Sequence, residues 1–216
     1  AAFPFSIGGW KDTTLPTVSI TSPAAGSYIS KANRSSFAVA GECSENGNLV
    51  TFAGAASGST TCTGGHFLKS LDMSSVADSS SVTIAVDHQD VAHNPATQDT
   101  RSFKKDTLAP SFTLTNPIAD FQINNANVGS VTFSGPCSDG GRDIVFNIPG
   151  FTGPQSISCD GTAFSSNLNF NGKPDGTITF TANFTDEAGN AAPTVTRTIT
   201  KLLNEPSLTF DALLES

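Results

Sequence analysis

The stretch Thr17-Val18-Ser19-Ile20-Thr21-Ser22-Pro23 decides the fold, because it returns 94 residues later as Ser111-Phe112-Thr113-Leu114-Thr115-Asn116-Pro117. At the same offset Gly41-Glu42-Cys43-Ser44 returns as Gly135-Pro136-Cys137-Ser138. Cys62 matches Cys159 at offset 97, and Asp90-Val91-Ala92-His93-Asn94 matches Asp186-Glu187-Ala188-Gly189-Asn190 at offset 96. Landmarks that keep their order with such small insertions mark two copies of one unit. The copies are expected at 14–106 and 107–203, after a leader or arm at 1–13. Residues 204–216 resemble the start of a further repeat, since Leu203-Asn204-Glu205-Pro206-Ser207-Leu208-Thr209-Phe210 echoes the two earlier openings.

Within each copy the apolar residues alternate. Phe37 and Val39 alternate with Ser36, Ala38 and Ala40; Val82, Ile84 and Val86 with Thr83, Ala85 and Asp87; Ile178, Phe180 and Phe184 with Thr179, Thr181 and Asn183. A period of two is one face in and one face out, a half-buried strand. Asn46-Gly47, Gly140-Gly141 and Asn171-Gly172 punctuate the strands as turns. No stretch has helical spacing. Short strands with frequent turn signals predict an all-β sandwich. In the first copy seven strands are expected, near 17–22, 35–43, 48–54, 59–63, 66–72, 80–87 and 97–105.

Composition narrows the function. The net charge is -8, from 11 Lys and Arg against 19 Asp and Glu, which argues against a phosphate-binding footprint and a nucleic-acid partner. Charged residues are only 14% and apolar residues 37%, so a modest core is affordable and disorder by high charge is not indicated. No apolar run approaches the length of a membrane-spanning helix. The chain starts Ala1-Ala2-Phe3, and the reading is a processed or trimmed piece whose export signal is gone.

The order T-x-T-x-P, G-x-C-S, a second Cys, D-x-A-G-N and a D-x-x-A-P linker resembles tandem bacterial immunoglobulin-like repeats, over residues 12 to about 203. That resemblance implies two tandem immunoglobulin-like β-sandwich domains of the kind that build stalks of secreted adhesins and surface proteins. The first copy departs from the pattern at His93, where Gly is the rule. His accepts a positive φ better than most residues, so the turn survives.

Four cysteines fall in matching places, two per copy. No C-x-x-C pair offers a zinc ribbon, and no His stands at ligand spacing. Two readings are open: intra-repeat disulfides Cys43–Cys62 and Cys137–Cys159, or four buried thiols. The matched placement favours the disulfides. These persist outside the cytosol, which places the chain at a bacterial cell surface, in the periplasm or in the medium.

Candidate chemistry is sparse. Asp90 and Asp186 read as structural turn residues capping backbone N–H groups. Calcium is the cofactor weighed. An interdomain ion would use Asp106 of the linker with Asp139 or Asp143, and the expectation is that none is bound. Asp90 and Asp106 are expected at opposite ends of the domain. No G-x-S-x-G motif occurs, and His66, His88 and His93 lack a partnered nucleophile motif, so no residue is assigned to catalysis. Loop 140–156, where the copies differ most, is the best candidate for a ligand loop, with Arg142, Phe151 and Gln155. The leader Phe3-Pro4-Phe5-Ser6-Ile7-Gly8-Gly9-Trp10 reads as an arm packed on the first copy. The overall expectation is a non-enzymatic structural or adhesive segment that spaces or presents a binding region. Its partners would be a protein or glycan on another surface and neighbouring domains of a longer parent chain. The alternatives are a β-sandwich module binding a glycan or protein through its loops, or an accessory domain of a secreted enzyme.

Overall fold

A computed structural model describes residues 11–203. The leader at 3–10 and the tail at 204–216 lie outside the described residues. The chain divides into two compact units, with the division between Leu108 and Ala109. No helix among the described residues is long and apolar enough to cross a membrane.

In the first unit the strands are β1 (Val18–Ser22), β2 (Tyr28–Ile29), β3 (Phe37–Cys43), β4 (Leu49–Gly54), β5 (Gly58–Thr61), β6 (His66–Leu71), β7 (Ser79–His88) and β8 (Asp99–Lys105). One sheet is β1-β3-β6; the facing sheet is β2-β8-β7-β4-β5. All pairs are antiparallel except β2, which runs parallel to β8. The second unit has β9 (Phe121–Ile123), β10 (Val131–Pro136), β11 (Asp143–Asn147), β12 (Gln155–Ser158), β13 (Ala163–Leu168), β14 (Gly176–Phe184) and β15 (Val195–Lys201). Its sheets are β10-β13 and β12-β11-β14-β15-β9, with β9 parallel to β15. The counterpart of β1 is the segment 112–116, which meets β10 through the bridges Phe112–Cys137 and Asn116–Ser134.

Alternation puts one side chain in two into the core. In β3, Phe37, Val39, Gly41 and Cys43 are buried while Ala38 and Glu42 are exposed. Val82, Ile84, Val86 and Phe103 face them from the second sheet. In the second unit the core is richer in rings, with Phe133, Phe146, Phe164, Phe170, Phe180 and Phe184 all buried. Each unit carries one disulfide, Cys43–Cys62 with Cα atoms 6.0 Å apart and Cys137–Cys159 at 6.1 Å. Cys43 ends β3 in one sheet and Cys62 follows β5 in the other, so the bond staples the two sheets. The chain is therefore two tandem immunoglobulin-like β-sandwich domains, each with one intradomain disulfide.

The geometry explains why the motif reads G-x-C-S. A Cβ on Gly41 would stand 1.9 Å from the Ser19 carbonyl oxygen, and one on Gly135 1.8 Å from that of Thr113. Only a bare α-carbon lets the first strand approach this closely. The serine then fastens that strand. Ser44 Oγ accepts from the Thr17 amide at 2.9 Å while the Ser44 amide donates to the Thr17 carbonyl at 3.1 Å. Ser138 does the same to Ser111, at 2.9 and 3.0 Å.

Gly135→Ala is expected to cost about 1–3 kcal/mol, because the added methyl must push the 111–116 segment off β10. Gly129, whose nearest neighbour for a Cβ is an Asn171 side-chain nitrogen at 3.5 Å, is the control and should tolerate Ala. Urea unfolding of both variants measures this; equal stability of the two would show that the close approach constrains nothing.

Candidate functional site

The Asp-x-Ala-x-Asn turns link the last two long strands of each domain. Asp90 accepts from the Asn94 amide at 2.8 Å and from Asn94 Nδ2 at 2.7 Å. Asp186 accepts from the Asn190 amide and side chain, both at 2.8 Å. The residue before each Asn has positive φ, His93 at 64° and Gly189 at 88°. Burial works against the charge of Asp90, but the Asn94 side-chain and backbone bonds outweigh it and hold the carboxyl below its usual range. Both oxygens are spent inside the turn.

β7 and β8 pair with Val86 opposite Asp99 and Ser79 opposite Lys105. Asp90 thus lies beyond one end of the pair and Asp106 beyond the other. Asp106 accepts from the Leu108 amide at 3.0 Å. Asp139 accepts from Ser138 Oγ, and Asp143 begins β11 opposite Ser158. Among the described residues no group of three or more His, Cys, Asp or Glu side chains is gathered for a metal ion.

Two open clefts flank the turns, at equivalent places in the domains. The first, about 420 Å³, is lined by Leu49, Thr51, Asp87, His88, Asp90 and His93 among others. The second, about 380 Å³, is lined by Gly141, Arg142, Asp143, Val145, Asn183 and Thr185. His88 is buried with both ring nitrogens engaged: Nε2 accepts from the Glu45 amide at 3.2 Å and Nδ1 contacts the Leu49 carbonyl at 2.9 Å. The Glu45 amide can only donate, so Nδ1 carries the proton and the ring has no nitrogen left for a nucleophile. Gln98 donates to both oxygens of Asp87.

The segment 140–156 is not one loop, because β11 occupies 143–147. Arg142 stands before β11 and reaches the Asp186 carbonyl at 3.4 Å. Phe151 follows β11, and Gln155 pairs with Phe146 near that strand's far end. Phe151 packs edge-on against Phe170 at 5.0 Å, under Lys173 Nζ at 4.4 Å from its ring centre. Gln155 donates to the Gly153 carbonyl at 3.1 Å. Phe151 and Gln155 share one end of the sheet, and Arg142 lies at the other.

Sequence reading passed over two repeated basic positions. Arg101 donates to the carbonyls of Pro23 (2.8 Å) and Ile20, and Arg197 to those of Pro117 and Leu114 at 2.7 and 3.0 Å. Each guanidinium reaches from the last strand of its domain to β1 or to the segment that is its counterpart. Lys105 and Lys201 are buried, and each meets a carboxylate at 2.8 Å, Asp78 and Asp175 respectively. Their recurrence at offset 96 was the available signal.

No protein-family model matches the chain, and no curated protein matches it. Among solved structures, the fibronectin(III)-like modules of CbhA from Clostridium thermocellum align over 90% of this chain and 100% of theirs, with 13% identity and a TM-score of 0.55. A solved chain from a 1.5-MDa bacterial ice-binding adhesin aligns over 89% of this chain and 67% of that solved chain at 19% identity, TM-score 0.44. A solved chain from a Ca2+-stabilised ice-binding adhesin of an Antarctic bacterium aligns over 89% of this chain and 50% of that solved chain at 20% identity, TM-score 0.48. The last two scores are too low to bear on the fold. The likeness to the CbhA modules shows a shared tandem β-sandwich architecture.

Proposed function

We propose that the chain is a non-enzymatic spacer segment of a bacterial cell-surface or secreted protein, holding a binding region at a distance. One observation carries this reading: the residues that the two domains share spend their chemistry inside their own domain. The glycine admits the first strand, the serine fastens it, the cysteines staple the sheets, the aspartate closes its turn and the arginine bridges first and last strands. Among the described residues no buried side-chain polar atom lacks a partner. Two disulfides support an extracytoplasmic location.

Single-molecule stretching tests it. Each domain should give a discrete unfolding step. The Cys43–Cys62 bond closes 19 residues and Cys137–Cys159 closes 22. At up to ~3.6 Å per extended residue, reduction should lengthen the released chain by about 60 Å in the first domain and about 70 Å in the second. Absence of discrete steps would argue against a load-bearing spacer. Saturable binding on a glycan or protein array, lost on Phe151→Ala, would favour the loop-binding alternative instead.

A further inference from the structure

Each domain treats the chain leaving it in the same way. Lys105 ends β8, and its side chain is 3% exposed. Asp78, in the loop before β7, takes its ammonium on Oδ1 at 2.8 Å. The same carboxylate accepts from the amide of Thr107 at 3.0 Å and from its hydroxyl. The Asp106 amide donates to the Ile29 carbonyl at 3.0 Å, continuing the β2–β8 pairing. In the second domain Lys201 ends β15, also 3% exposed, and donates to Asp175 Oδ1 at 2.8 Å and to the Lys173 carbonyl at 2.6 Å. Asp175 accepts from the Leu203 amide at 3.2 Å, and the Leu202 amide donates to the Ile123 carbonyl at 2.9 Å.

A buried ammonium needs a partner, since taking an unpaired charge out of water costs several kcal/mol. One carboxylate oxygen would meet that need. In both domains the second oxygen is turned to a backbone amide beyond the last strand. The Lys105 hydrogen bond, then the Thr107 amide, hold Asp78 below the usual carboxylate range, and Lys201 and the Leu203 amide do the same to Asp175. The carboxylates are therefore charged acceptors, the stronger kind.

We propose that Asp78 and Asp175 are linker anchors: each fixes the first residues after its own domain, so that the chain leaves already ordered. The inference rests on the spacer reading and deepens it, because a spacer gains reach from ordered joints. A sequence spacing recurs beside it. Lys105 stands five residues before Pro110, and Lys201 five before Pro206. Between Thr107, held on the first domain, and Ser111, held by Ser138 on the second, only Leu108, Ala109 and Pro110 intervene.

Backbone amide relaxation by NMR on the full chain tests the anchor. In the wild type Thr107 should be as ordered as β8, with an order parameter near ~0.85, and in Asp78→Ala it should fall below ~0.6 while Phe103 stays rigid. Should Asp78→Ala unfold the first domain, the double variant Asp78→Leu with Lys105→Met decides, because it removes both charges together. Loss of order at Thr107 in a folded variant supports the anchor. Thr107 equally ordered without the carboxylate overturns it. The measurement reads one domain's own chain, so it is independent of whether the protein spaces or binds.

Discussion

Phe133→Ala is expected to destabilise the second domain by about 3–5 kcal/mol, the range for emptying a fully buried aromatic site. Phe133 is fully buried in β10. Its ring meets Phe146 edge-on at 5.3 Å, stacks with Phe170 at 6.3 Å and tilts toward Phe180 at 5.3 Å. These neighbours come from β11, the stretch before β14, and β14 itself, so the cavity cannot be closed by one strand relaxing. Rings are stiff, and two of the remaining three, Phe146 and Phe180, also meet each other at 6.2 Å. A domain with about 5–15 kcal/mol in hand is brought close to unfolding by such a loss. The first domain has its own core, with Val39 at the matching position, and its transition should not move. Calorimetry separates the two melting events. A loss below about 1 kcal/mol would mean that the site collapses without penalty. Equal shifts in both transitions would mean that the domains do not fold separately.

The rings also show how legible the fold was. β3, β7 and β14 were readable because each is long enough to show its period, and their buried positions are the alternating apolar ones except in β7, where Ala85 on the other face and the polar His88 are buried as well. β2 has two residues and β9 three, too short for any pattern, and both owe their existence to parallel pairing with the last strand. The counterpart of β1 in the second domain repeats the pattern of residues 17–23, yet it is held by isolated bridges and by the Ser138 hook.

Site residues were harder for a physical reason. Asp90 and Asn94 are four apart, so their turn is written locally. Lys105 and Asp78 are 27 apart and Lys201 and Asp175 26, so nothing local announces that these charges are buried and paired. A lysine at a strand end reads as solvated until the fold brings its carboxylate. The loop reading failed to separate Arg142 from Phe151 for the opposite reason. The two are close in sequence, but β11 between them carries them to opposite ends of a sheet.

Loss of either disulfide is the second large effect. Replacing Cys43 or Cys62 is expected to destabilise the first domain by about 2–5 kcal/mol. A closed loop of about 20 residues accounts for roughly 3 kcal/mol in the chain-entropy model. The structure adds a reason for the upper part of that range. The bond joins β3 of one sheet to the chain just past β5 of the other, and Cys43 and Cys62 are 4% and 1% exposed. Reducing it leaves a buried thiol pair where the sheets were tied, next to the hydrogen bond that the Cys43 amide donates to the Gly65 carbonyl at 3.0 Å. Burial has a kinetic consequence too, since a reductant cannot reach sulfurs that lie within the core. Reduction should therefore follow unfolding and accelerate sharply when urea approaches the midpoint. Mass measurement of native protein treated with an alkylating agent should show no adduct, and reduction in denaturant should reveal four reactive thiols. Adducts at the cysteines of the unreduced native protein would remove both the staple and the argument for an oxidising compartment. Rapid reduction far below the midpoint would instead show that the end of the sandwich bearing Cys62 opens on its own, with the sheets held by their packing alone.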